Sequence, residues 1–268
     1  MKLALRFSPS LISNIKQAAF EECDPELARV AIPSNIKLLE GLLKSDPDNR
    51  HVLAALCQGF SGYSHLFVEY DSPQRASDLY LRAREFGFRA LGEKGEFLKG
   101  LGTSGPQLHE KLQTFSREDL EPLFWVTFSW NAWVNLNLDQ PVAIAEFPIL
   151  DACAERITEL GGDYMFGLPW VLLGSTLSAR PPLFGGDPDR AKFSFERALT
   201  MSRGEFFLVQ YHYAKYYAVR VQDRSLFDRL LQDVLEGDPQ AIRDVCLINR
   251  VIQQRAVELK KKGDDLFL

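Results

Sequence analysis

No segment of this 268-residue chain reads as a membrane helix. The longest charge-free stretches, 122–138 and 164–179, fall short of the ~20 apolar residues that span a bilayer, and both carry polar residues or proline. They read as buried helices. A basic surplus is missing too: 31 Lys and Arg stand against 36 Asp and Glu, for a net charge of −5. That balance lacks the cationic stripe that neutralises phosphates, so nucleic acid is not an expected partner. The one dense basic run, Lys260 to Lys262, is followed by Asp264 and Asp265 and reads as a solvated helix end.

Chemistry-bearing constellations are equally sparse. The four cysteines, Cys23, Cys57, Cys153 and Cys246, form no CxxC pair. Most read as small buried apolar residues, and a disulfide between distant members stays open. The four histidines, His51, His65, His109 and His212, lack metal-ligand spacing such as HExxH. His51 and His109 sit in polar stretches and read as solvated. His65 and His212 sit in apolar helices and read as interior or cavity-lining. Gly100-Leu-Gly102 does not continue into GxGxxG. Gly185-Gly186-Asp187-Pro188 leads into a helix, but Asp187 would cap the free N–H groups and repel an anion. Nothing here points to an enzyme, a metal or a cofactor. The opening Met1 to Phe7 is shorter than the apolar core of a signal peptide. Two expectations follow: a cytoplasmic chain, or a processed one.

With strand signals nearly absent, helix signals dominate. Asp46-Pro47, Asp71-Ser72-Pro73, Asp139-Gln140-Pro141, Asp187-Pro188 and Asp238-Pro239 each pair a capping side chain with a first-turn proline. The stripe in 225–235 (Leu226, Phe227, Leu230, Leu231, Val234, Leu235) is amphipathic, as are those in 187–201 and 72–91. By contrast, 123–138, 164–179 and 206–221 are apolar nearly all round and must be covered on several sides. Inner and outer helices thus alternate, which is how helical solenoids are built.

One pair follows the tetratricopeptide register: Trp170, Leu173, Gly174 and Leu177, then Ala191, Phe195 and Ala198. The expected fold is all-α, a tetratricopeptide-like helical-hairpin solenoid. Residues 1–47 form an N-terminal helical segment, and 48–237 hold about four helical pairs. A capping helix, roughly 240–262, and a tail complete residues 238–268. The glycine-rich stretch 92–116 reads as an inserted loop with little regular structure.

Aromatic residues crowd the inner helices. Phe124, Trp125, Phe128, Trp130 and Trp133 fall together, as do Tyr211, Tyr213, Tyr216 and Tyr217. Most should be core. One narrow seam cannot bury five large rings, so some are expected at a groove or interface. The candidate ligand- or partner-binding residues are Trp125, Trp130, Trp133, Arg180, Phe184, Tyr213 and Tyr217. Arg180 would either pair with a carboxylate or hold the Pro181-Pro182 loop.

Three runs carry a family resemblance: PLFWVTFSWNAWVNLNLD at 122–139, SARPPLFGGDP at 178–188, and FSFERAL at 193–199. VQDR at 221–224, FDRLL at 227–231 and residues 249–255 fit too. The chain resembles the T component of TRAP transporters over about residues 8–260. That resemblance implies a periplasmic, usually lipid-anchored protein of tetratricopeptide-like repeats. It also implies a homotrimer, association with the periplasmic solute-binding subunit, and handling of hydrophobic or organic-acid small molecules. Cys23 follows Glu21-Glu22 and does not read as a lipobox cysteine. The rival expectation is a cytoplasmic tetratricopeptide scaffold that grips a peptide.

Overall fold

The computed structural model describes residues 9–100 and 106–267, and every regular element among them is helical. Contacts divide the chain into two units, Met1–Ala19 with Glu26–Leu160, and Phe20–Pro25 with Gly161–Leu268.

The first unit contains α1 (Pro9–Glu21, of which Phe20 and Glu21 are grouped with the second unit), α2 (Pro25–Ser45) and α3 (Arg50–Tyr63). Asn49 caps α3, its side chain accepting the Val52 N–H at 3.1 Å, so the helix starts later than Asp46-Pro47 suggests. α3 runs on as a π turn, Ser64–Val68. Next come α4 (Pro73–Leu91), α5 (Glu93–Gly100), α6 (Pro106–Gln113), α7 (Leu120–Leu136), α8 (Pro141–Ala145) and α9 (Phe147–Gly161). The core joins α1 to α4 through Ile12, Ile36, Leu39, Leu53, Leu56, Phe60 and Ala83. α4 packs on both α3 and α7. Gly87 makes that approach feasible, because a Cβ there would stand 2.7 Å from Val126 Cβ and 2.9 Å from Cys57 Sγ.

The stretch 92–116 departs from expectation. α5 and α6 occupy most of it, while residues 101–105 lie outside the described set. Gly95 shows why glycine misled: a Cβ would sit 1.9 Å from the Phe88 carbonyl oxygen, so the glycine serves a close backbone approach. Asp119 fastens this region. Its carboxylate takes Lys94 at 2.6 Å, the Arg50 guanidinium, and the Ser116 N–H at 2.9 Å. Burial pushes its pKa upward, but Lys94, Ser116 and Arg50 outweigh that and hold it below the usual carboxylate range.

In the second unit a turn, Tyr164–Gly167, precedes α10 (Leu168–Ser178). Met165, Phe166 and Gly167 all have positive φ, at 42°, 59° and 93°. At Gly167 this brings the backbone against α11 (Pro188–Ser202), where a Cβ would lie 3.1 Å from Ala198 Cα. α11 is capped by Asp187 as the sequence suggests, the side chain accepting the Arg190 N–H at 3.0 Å. α10 and α11 pack as a pair, the Phe195 ring lying 3.0 Å from where a Gly174 Cβ would be.

Then follow α12 (Phe207–His212) with a π turn (Tyr213–Ala218), α13 (Arg224–Glu236), α14 (Cys246–Lys261) and α15 (Gly263–Leu266). Asp223 caps α13, accepting the Leu226 N–H at 2.9 Å. Asp238-Pro239 starts no helix; its side chain closes a turn by accepting the Gln240 N–H. Asn249, fully buried, accepts the Phe207 N–H at 2.9 Å and donates to the carbonyls of Glu205 and Pro239. A disulfide joins Cys23 to Cys246. Cys57 and Cys153 are the buried free thiols.

Candidate functional site

In the first unit, α7 is covered by both α3 and α4. It therefore buries more rings than a single seam could. Phe124, Trp125, Trp130 and Trp133 are between 0 and 8% exposed. The expectation that several of these rings line an open groove does not hold for them, because it assumed one packing face. Trp125 meets Phe124 and Phe128 in edge contacts at 5.0 and 5.6 Å.

Trp130 and Trp133 instead converge on a charge. The Arg84 guanidinium carbon lies 5.2 Å from each indole centroid and 5.9 Å from that of Phe88. Glu146, at the end of α8, accepts a hydrogen bond from Trp130 Nε1 and one from Arg84 at 3.4 Å, both on Oε2. The Arg84 and Glu146 side chains are 20% and 22% exposed, so this group reaches solvent at its rim. Burial draws the Arg84 pKa below the arginine norm, while Glu146 and Glu85 pull it back up. Sequence reasoning passed over Arg84. Its signal was a cation one turn from Tyr80 and one turn from Phe88, within the apolar stripe of α4.

The two apolar-helix histidines are interior, as expected. His65 lies 3.3 Å from the Glu69 carboxylate, to which Tyr80 also donates, and meets the Phe128 edge at 5.4 Å. His212 Nδ1 and Ser175 Oγ are 2.9 Å apart, with the Tyr216 ring against the imidazole. Each sits in or beside a π turn, a feature frequent at functional positions. His51 and His109 are exposed.

The remaining candidates lie in the second unit. Tyr213 is 3% exposed and stacks on Phe195 with centroids 4.8 Å apart, and Tyr217 lies 5.2 Å beyond. Burial raises both phenol pKa values. Arg180 is 4% exposed, at the start of a loop that the Gly186 N–H closes by donating to the Pro181 carbonyl at 3.1 Å. Phe184 is 46% exposed, and Leu183 beside it is 87% exposed. On α11, Phe193 is 56% exposed and meets Trp170, over which Arg197 lies at 5.8 Å. The seven candidates therefore fall into three groups: Trp130 with Trp133 around Arg84, Tyr213 with Tyr217, and an exposed Phe184. Trp125 packs with Phe124 and Phe128, and Arg180 is buried in the Pro181-Pro182 loop region.

Among the described residues no three His, Cys, Asp or Glu side chains are grouped to hold a metal, and no helix is long and apolar enough to cross a membrane.

Comparison with known proteins places these features. An uncharacterised protein of Treponema pallidum (strain Nichols) is 26% identical over 270 residues, covering 92% of this chain and 82% of that protein. The family described as TRAP transporter T-component matches residues 21–267, which takes in α2 to α15 with the Arg84 cluster, the tyrosine pair and the Pro-Pro loop. The chain belongs to the TRAP transporter T-component family.

Proposed function

We propose that this chain is the periplasmic accessory component of a TRAP-type solute uptake system, and that it works by binding rather than by catalysis. Family membership across nearly the whole chain carries the reading. It associates with the solute-binding subunit, and it handles a hydrophobic or organic-acid small molecule. The Cys23–Cys246 disulfide supports export, because such bonds persist in oxidising compartments and are rare in the cytosol. The same bond weighs against the cytoplasmic scaffold.

The helical pairs form a tetratricopeptide-like solenoid on this reading. Its support is the α10–α11 pair, where Gly174 takes the Phe195 ring as that register requires. The Leu183-Phe184 tip offers the receptor contact, an exposed apolar surface at the outer turn of the loop. Homotrimer formation is assigned to the outer face of α2, where Leu27, Val30 and Leu38 are more than half exposed.

Co-expression with a TRAP-type solute-binding subunit tests the association. Capture of the receptor by the wild-type chain, with loss in a Leu183→Ala/Phe184→Ala variant, is the expected result. Equal capture by that variant removes the loop surface. Loss only in a folded Trp133→Ala variant, or only in a folded Arg180→Ala variant, moves the surface to that residue within its own unit.

A further inference from the structure

Arg84 carries more hydrogen-bonding capacity than the fold uses. A guanidinium offers five N–H donors. Among the described residues one of them is engaged, by Glu146 Oε2 at 3.4 Å. The rest of the group is held in place by rings, with Trp130 and Trp133 each 5.2 Å from its carbon. Flat aromatic walls around a fixed cation leave its remaining N–H edge to a planar anion. The carboxylate of Glu146 shows that such an anion fits. Glu146 has a second partner on the same oxygen, since its Oε2 also accepts Trp130 Nε1, so it can loosen from Arg84 and stay bonded to the indole. Both side chains are about one-fifth exposed, which gives a small molecule access.

We propose that Arg84, walled by Trp130 and Trp133, is a seat for a small monocarboxylate, and that Glu146 occupies this seat as a competing internal ligand. The carboxylate takes the N–H edge of Arg84 from the solvent side, while the indoles, 3% and 8% exposed, hold the guanidinium in place and meet the ligand only at their outer edges. This deepens the ligand-handling part of the reading above and is independent of receptor capture.

Tryptophan fluorescence of the full chain, titrated with benzoate and with uncharged benzamide, tests it. A saturable change with benzoate and none with benzamide is expected. Arg84→Gln abolishes the change, and Arg84→Lys weakens it because the fork geometry is lost. Glu146→Gln, which can still take the Trp130 bond, should bind benzoate roughly fivefold tighter, as expected when a partly exposed competing pair is removed. Far-UV circular dichroism checks that each variant folds. Trp133→Phe should reduce the signal where a Trp170→Phe variant does not.

Absence of saturation in both the wild type and Glu146→Gln overturns the seat and leaves the pair as a structural clamp. Equal response to benzamide, or full binding by a folded Arg84→Gln, overturns it as well. Weaker binding by Glu146→Gln overturns the competing role. Receptor capture persisting beside any of these negatives leaves the accessory function standing, and loss of capture with benzoate binding intact does the reverse.

Discussion

Cys23 and Cys246 are bonded although 223 positions separate them, so one link closes most of the chain into a ring. In the chain-entropy account, a loop this long contributes up to about 5 kcal/mol by restricting the unfolded chain, with 2–4 kcal/mol typical. Reduction, or a Cys23→Ser/Cys246→Ser pair, should lower the urea midpoint accordingly. Thiol titration provides a second check. Burial pushes the Cys153 thiol up to about 12 and raises Cys57 as well, so neither should react in the native protein. Two thiols should appear on unfolding without reductant, and four with it. Four reactive thiols in the unreduced unfolded chain would contradict the bond.

Gly87 and Gly62 should respond in opposite directions to alanine. At Gly87 the new methyl meets Val126 and Cys57 at under 3.0 Å, both in packed helices. Gly87→Ala should cost roughly 1–3 kcal/mol through overpacking. Gly62 lies within α3 with nothing within 4 Å of its Cβ position, so Gly62→Ala should stabilise by about 0.5–1 kcal/mol. Denaturant unfolding of the two variants measures both.

Asn249→Ala should be severe. It leaves the Phe207 N–H and the carbonyls of Glu205 and Pro239 without their partner in a fully buried place. Each unsatisfied group costs about 1–3 kcal/mol, so a loss above about 2 kcal/mol is expected from chemical unfolding. A loss well under that would show that α14 does not depend on this amide.

Asp119 gives the protein an acid-side weakness. Its folded pKa is depressed, so its contribution is fully present above the unfolded value of about 3.9 and disappears as pH falls through the folded value. Stability of the wild type should drop through that window. Asp119→Asn should be less stable at neutral pH and flatter below about pH 4. Identical slopes for the two proteins would remove Asp119 from the acid transition.

The α10–α11 pair was legible because two helices that touch need a small residue at the contact, and Gly174 against Phe195 is that contact. The Asp187 cap was legible for the same kind of reason, a local need met by a local residue. The glycines of 92–116 misled because a glycine for close approach, as at Gly95, looks in sequence like one for a bend. The π turns after α3 and α12 left no trace, since one extra residue per turn barely shifts an apolar stripe. The Cys23–Cys246 bond was invisible because linear distance says nothing about neighbours in space. Arg84 was missed because a cation on an apolar face declares itself only once its walls, Trp130 and Trp133, are known to meet there.

The central claim is that the chain serves by holding a solute receptor. Isothermal titration of the purified, oxidised chain with the separately purified receptor tests it without help from cellular factors. Saturable heat, together with co-elution of the two proteins as a single larger species, is the predicted result. Neither heat nor co-elution at micromolar protein, with both partners folded, would contradict the account.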